Sequence, residues 1–153
     1  MLLATMFFAV LPVALAKATT VTTNIKVPVE ILVFIPCALG GTGEVVELSG
    51  NLHLLTHVTT DNNGGMHVEM HAQPQGISGI GMDSGDKYQA TGVTRGHINT
   101  QGPAPFESTF VNNFRIIVQG RGNNFLVHQV IHVTINANGD VTADIDKMSV
   151  DCK

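Results

Sequence analysis

From Glu44 to Thr60 apolar and polar residues alternate. Val46, Leu48, Leu52, Leu54 and Val58 fall on one side, and Glu47, Ser49, Asn51, His53, His57 and Thr59 on the other. A period of two is the signature of a half-buried β-strand. The run is longer than a typical strand, and Gly50 within it is a natural place for the strand to bend as a sheet curls. Similar alternation predicts strands over residues 20–27, 30–35, 66–82 (broken near Pro74 and Gly76), 87–97, 108–119, 125–136 and 141–150. No helical period follows residue 18. The intervening segments CALGGTGE, DNNGG, DSGD, NTQGPAPFE, GRGNN and NANGD are rich in turn-forming residues. The expected fold is therefore all-β, an antiparallel meander of about eight strands closed or nearly closed into a barrel, with a two-sheet sandwich as the alternative.

Turn chemistry predicts registers. In DNNGG, a three-residue loop Asn62-Asn63-Gly64 places Gly64 in the left-handed position and Asp61 opposite Gly65. His57 then faces Glu69, Thr59 faces His67 and Leu55 faces His71. Recentring the loop would instead set His57 against His67 and His53 against His71, and both registers keep the four histidines and Glu69 on one face. In NANGD, an Ala137-Asn138-Gly139 loop pairs Asn136 with Asp140. His132 is then set opposite Asp144, and His128 diagonal to Asp146. A four-residue loop over 120–123 pairs Gln119 with Asn124 and brings Arg115 opposite His128.

Length and the two cysteines add a compartment. The chain of 153 residues fits one domain. Residues 1–18, MLLATMFFAVLPVALAKA, form an apolar run closing on small residues and read as a secretory signal peptide, leaving a single domain over 19–153. The apolar run is short for a membrane span, and the chain after it is polar and Thr-rich, so no transmembrane span is expected in the mature chain. In a secreted, periplasmic or extracellular protein Cys37 and Cys152 are expected to form a disulfide. The net charge of −4 and low charged content give no sign of a phosphate-binding surface, and the absence of Trp and the single Tyr88 argue against a base-stacking platform, so no nucleic-acid partner is expected.

The runs GEVVELSGNLHLLTHVT, GDKYQATGVT and FVNNFRIIVQGRGNNFLVHQVIHVTINANGDVT resemble a family of small secreted bacterial β-proteins. The resemblance covers most of the mature chain and carries no established activity, cofactor or catalytic residue. A likeness to lipocalins or to the allene oxide cyclase barrel is architectural, and architecture alone does not assign function.

Candidate chemistry rests on the histidines. His57, His67, Glu69 and His71 share one hairpin face, and imidazole with carboxylate suits Zn or Cu(II). A second polar cluster comprises His128, His132, Asp144, Asp146 and Arg115, whose permanent cation disfavours a metal there. Because alternation forces residues i and i+4 onto one side, a polar sheet face held by ordinary hydrogen bonds explains the same spacing. No serine lies in a nucleophile elbow, the cysteines are expected to be paired, and GGTG and GISGIGM lack phosphate-loop spacing. Three functions are expected in turn. The first is a non-catalytic binding or structural module, with a small apolar ligand in the barrel against Met66, Met70 and Met82. The second is a Zn or Cu protein or metalloenzyme. The third is a self-assembling extracellular or envelope protein in which edge strands form a homo-oligomer.

Overall fold

The computed structural model describes residues 17–102, 104–118 and 124–153. The signal-peptide reading of residues 1–16, the proposed 120–123 loop and Gln119 therefore lie outside the described residues.

Thr19–Ile35 forms one continuous strand, β1, where sequence alternation predicts two. Pro28 sits inside it opposite Asn51. Proline cannot donate to a ladder, and β1 tolerates it because it is an edge strand, paired with a neighbour on one side only. A single helical turn, Leu39–Gly41, leads into β2 (Glu44–Thr60), followed by β3 (Met66–Gly81), β4 (Lys87–Thr100), β5 (Phe106–Val118), β6 (Phe125–Ile135) and β7 (Val141–Cys152). The seven strands form one antiparallel sheet in sequential order, which replaces both the eight-strand count and the two-sheet alternative. β1 and β7 are not hydrogen-bonded to each other, so the sheet is not closed as a barrel.

The core occupies one end of this sheet. Ile35, Cys37, Ala38, Val46, Leu48, Ile77, Tyr88, Ala90, Ile116, Val118 and Phe125 form a single buried cluster. Apart from Cys37 and Ala38 in the β1–β2 connection, they come from six strands of one sheet, which can meet only if the sheet curls on itself at that end. The Cys37–Cys152 disulfide, with Cα atoms 5.5 Å apart, joins the end of β1 to the end of β7 at the same place. Away from it the sheet is a half-covered layer. Val21, Ile25, Met148 and Val141 on its core-side face remain exposed.

β2 bends at Gly50, whose φ of 152° is costly for a residue with a Cβ. The β2–β3 register shifts between Ser49 and Asn51, as expected for a curling sheet. Two glycines let neighbouring strands approach closely. A Cβ on Gly79 would lie 1.7 Å from the Glu47 carbonyl oxygen, and one on Gly92 2.0 Å from that of Asn113.

The first hairpin matches the Gly64-centred turn. The Asp61 N–H donates to the Gly65 carbonyl at 2.8 Å, and His57 faces Glu69, Thr59 faces His67 and Leu55 faces His71. The Asn63 and Gly65 N–H groups donate to the Asp61 carboxylate and hold its pKa below the ordinary value. The recentred register is excluded.

The last hairpin is corrected. Asn136 pairs with Asp140 as expected, but Ile135 faces Val141 while Thr134 faces Ala143, so Thr142 is an inserted bulge residue. Every later partner moves by one: His132 faces Ile145, His128 faces Ser149, and Asp144 and Asp146 face Val133 and Ile131 on the core-side face. The reason is the disulfide. In the unbulged register Cys152 would lie on the histidine face, whereas Cys37 is buried in the core; the bulge turns Cys152 to the core side, opposite Phe125. Arg115 is corrected too. It faces Leu126, and Asn113 takes the position opposite His128.

Inward-facing charges on an edge strand oppose addition of another strand. Asp144 and Asp146 are exposed on the open edge β7, so replacing both with Val is expected to produce concentration-dependent association. Light scattering of the double variant against the parent tests this, and identical profiles would remove the edge-guarding role.

Candidate functional site

Partners in an antiparallel sheet share a face, so the registers place every side chain on the core side or the opposite side. All seven histidines, from β2, β3, β4 and β6, lie on the side opposite the core. Six have cross-strand or near neighbours as partners. His53 Nε2 lies 2.7 Å from Asn24 Oδ1, and His57 Nδ1 lies 2.9 Å from Thr22 Oγ1. His67 Nδ1 and His97 Nε2 converge on Asn99 Oδ1 at 2.6 and 3.0 Å. His128 Nδ1 meets Asn113 Oδ1 at 2.6 Å and His132 Nδ1 meets Thr109 Oγ1 at 2.8 Å. Ordinary cross-strand hydrogen bonding thus accounts for most of the histidine pattern.

His71 is different. Its Nε2 is buried and has no hydrogen-bond partner among the described residues. Buried polar groups in folded proteins are almost always satisfied, so an orphaned nitrogen asks for an explanation. The half-buried His71 side chain helps line an open groove of about 420 Å³ crossing β2 to β5, together with Leu55, His57, Glu69, Arg95 and His97, and with Met70, Gly96, Thr109 and Val111. Two rows build it. His57, Glu69, His97 and Thr109 are successive partners across four strands, and beside them run Leu55, His71, Arg95 and Val111. Among the described residues neither Glu69 nor Arg95 makes an ion pair; the single such contact is His67 Nε2 to Asp61 at 3.7 Å.

Three of the four expected metal ligands, His57, Glu69 and His71, therefore meet in this groove, while His67 is drawn to Asp61 and Asn99 and borders a different depression. Among the described residues no three His, Cys, Asp or Glu side chains are disposed to share one metal ion. To coordinate through Nδ1, His57 would have to give up Thr22. The second polar cluster is divided: Arg115 and His128 share a small recess with Asp151, His132 is bonded to Thr109, and Asp144 and Asp146 lie on the other face.

Arg95, His97 and Val111 were not legible as site residues from the first hairpin alone. The signal was present in the β4 and β5 alternation, which puts Arg95 and His97 in phase with the histidine face. Glu44 was missed as well. It is the one charged residue in phase with Val46 and Leu48, and it is 2% exposed. Its carboxylate accepts from the Tyr88 hydroxyl at 2.7 Å, the Ser84 hydroxyl at 2.8 Å and the Ser84 N–H at 3.0 Å. Burial alone would raise its pKa, but the bonds from Tyr88, Ser84 and Asp83 outweigh burial and hold it below the ordinary value. Burial, then the Glu44 carboxylate, pushes the Tyr88 pKa up. Packed against the core and fully bonded, Glu44 is a structural anchor between β2 and the β3–β4 turn.

Among the described residues no helix is long and apolar enough to cross a membrane. No protein-family model, curated protein or solved structure matches the chain.

Proposed function

We propose that this protein is a non-catalytic binding module of an oxidising, extracellular or periplasmic compartment, and that its ligand site is the groove across β2 to β5. The observation that carries this reading is the buried Nε2 of His71, unpartnered among the described residues, beside a guanidinium and a carboxylate that lack ion-pair partners among the same residues. A ligand supplying hydrogen-bonding groups offsets the desolvation of His71, which otherwise costs about 1–3 kcal/mol. Leu55 and Val111 add apolar contact, and the volume falls in the range of small-molecule sites. The disulfide fits the compartment. The core end is filled by side chains, so cargo within a barrel has less support than cargo in this groove.

A thermal-shift panel of small acids, amines, alcohols and hydrocarbons, with ZnCl₂ and CuCl₂ as separate arms, tests the proposal. Stabilisation is expected from at least one organic class and is expected to be lost in His71→Phe. A panel without any shift, or with equal shifts in the parent and His71→Phe, would overturn it. A response to metal alone would favour the metal reading of His57, Glu69 and His71.

A further inference from the structure

Resting on that groove reading, we infer that the ligand is a monoanionic carboxylate with an apolar body, its head held by Arg95 and His71 and its tail lying along Val111. The groove is rich in donors. Arg95 carries five N–H groups in a planar fork suited to a carboxylate. It sits directly opposite His71, whose Nε2 is buried and has no partner among the described residues. The Thr22 hydroxyl can donate to His57 Nδ1, which leaves the His57 Nε2–H as a donor for a ligand, whereas His97 Nε2–H donates to Asn99 Oδ1, so its ring adds no second donor when neutral. Among the described residues, Glu69 is the only acidic one lining the groove.

Charge selects the head group. Arg95 attracts an anion, and Glu69, in the adjoining row, repels a second negative charge. A carboxylate therefore fits better than a phosphate carrying about two charges at neutral pH. The neighbours along the row select the tail. Leu55 lies beyond His71 on one side; Val111 and then Val130 follow Arg95 on the other. A head centred between His71 and Arg95 thus has an apolar path toward β6 that ends at Lys147, opposite Val130.

Calorimetric titration with butanoate, hexanoate and octanoate, and with octylamine, octanol and octyl phosphate below their micellar concentrations, tests the inference. Octanoate is expected to bind tightest, and affinity is expected to rise with chain length toward about fourfold per methylene, the value for full burial. Arg95→Gln is expected to weaken octanoate by roughly 10- to 100-fold, the range for hydrogen bonds to charged groups. Arg95→Lys, which keeps charge but loses the fork, is expected to fall between. Val111→Asp is expected to abolish the length dependence, and it serves as a second variant if Arg95→Gln fails to fold by circular dichroism. Octylamine binding lost in Glu69→Gln, or octyl phosphate binding tighter than octanoate, would overturn the carboxylate assignment while leaving the groove as a site. Failure of every compound, together with a flat thermal-shift panel, would remove the groove reading itself. Amide chemical-shift changes under octanoate that centre on Val58 and Val68, on the core-side face, would also overturn the assignment.

Discussion

Reducing the Cys37–Cys152 disulfide is expected to lower stability by about 5 kcal/mol and the melting temperature by about 10–20 °C. The bridge spans 115 residues. Constraining a loop of that length removes about 4.7–5 kcal/mol of chain entropy from the unfolded state in the loop-closure account. At 2–4 °C per kcal/mol for a chain of this size, the temperature shift follows. The native state adds a second reason to expect the full effect. β1 and β7 share no hydrogen bonds, so the disulfide is the covalent tie that holds the two edges of the curled sheet together beside the core. Cys37 and Ala38 are buried in that core, and Phe125, opposite Cys152, packs there too. Thermal melts followed by circular dichroism, with and without a phosphine reductant and on a Cys37→Ala, Cys152→Ala variant, provide the measurement. A reduced protein melting within a few degrees of the oxidised one would show that strand pairing alone holds the core end.

Glu44→Ala is expected to cost about 3 kcal/mol, and the parent is expected to lose stability in acid through the same residue. Removing the carboxylate strands the Tyr88 hydroxyl, which is 2% exposed as a residue and has Glu44 as its hydrogen-bond acceptor. A buried unsatisfied group costs about 1–3 kcal/mol, and loss of a bond to a charged acceptor is of the same order. The sign in acid follows from the lowered pKa of Glu44. Near the ordinary carboxylate pKa the unfolded chain binds the proton and the folded chain does not, so stability rises with pH there. The contribution is complete above the ordinary value of 4.5 and is lost as pH falls through the depressed folded value. Urea melts between pH 3 and 7 are expected to show a shallower acid slope for Glu44→Gln than for the parent. Parallel slopes would assign the acid loss to other carboxylates, Asp61 foremost, since its pKa is also lowered.

The Asp61–Gly65 turn was legible because it is local. Asp61, two asparagines and Gly64 specify one loop, and His57 opposite Glu69 follows by counting. The last hairpin used the same reasoning and failed at Thr142, although the sequence contained a warning. Cys37 and Cys152 cannot bond if Cys152 faces with His132, so the predicted disulfide and the predicted register were incompatible. Two strands predicted around Pro28 became one because proline interrupts a ladder only on the side where a partner exists. Arg95 and His97 joined the site through β4, whose pairing with β3 brings residues some 25 positions away beside Glu69 and His71.

The sequence by itself determined the all-β class, the alternation that puts a polar face behind an apolar one, the first hairpin's register and the pairing of the two cysteines. Each is a matter of nearest neighbours, of strand parity, or of there being only two cysteines. Tertiary structure alone decided where the core lies, that the sheet curls without closing, that a bulge inverts the last strand, and that His71 carries the one histidine nitrogen left buried without a partner among the described residues. Those depend on twist accumulated over seven strands and on one inserted residue. A period of two cannot record either, because it is unchanged by sheet curvature and resets at every bulge.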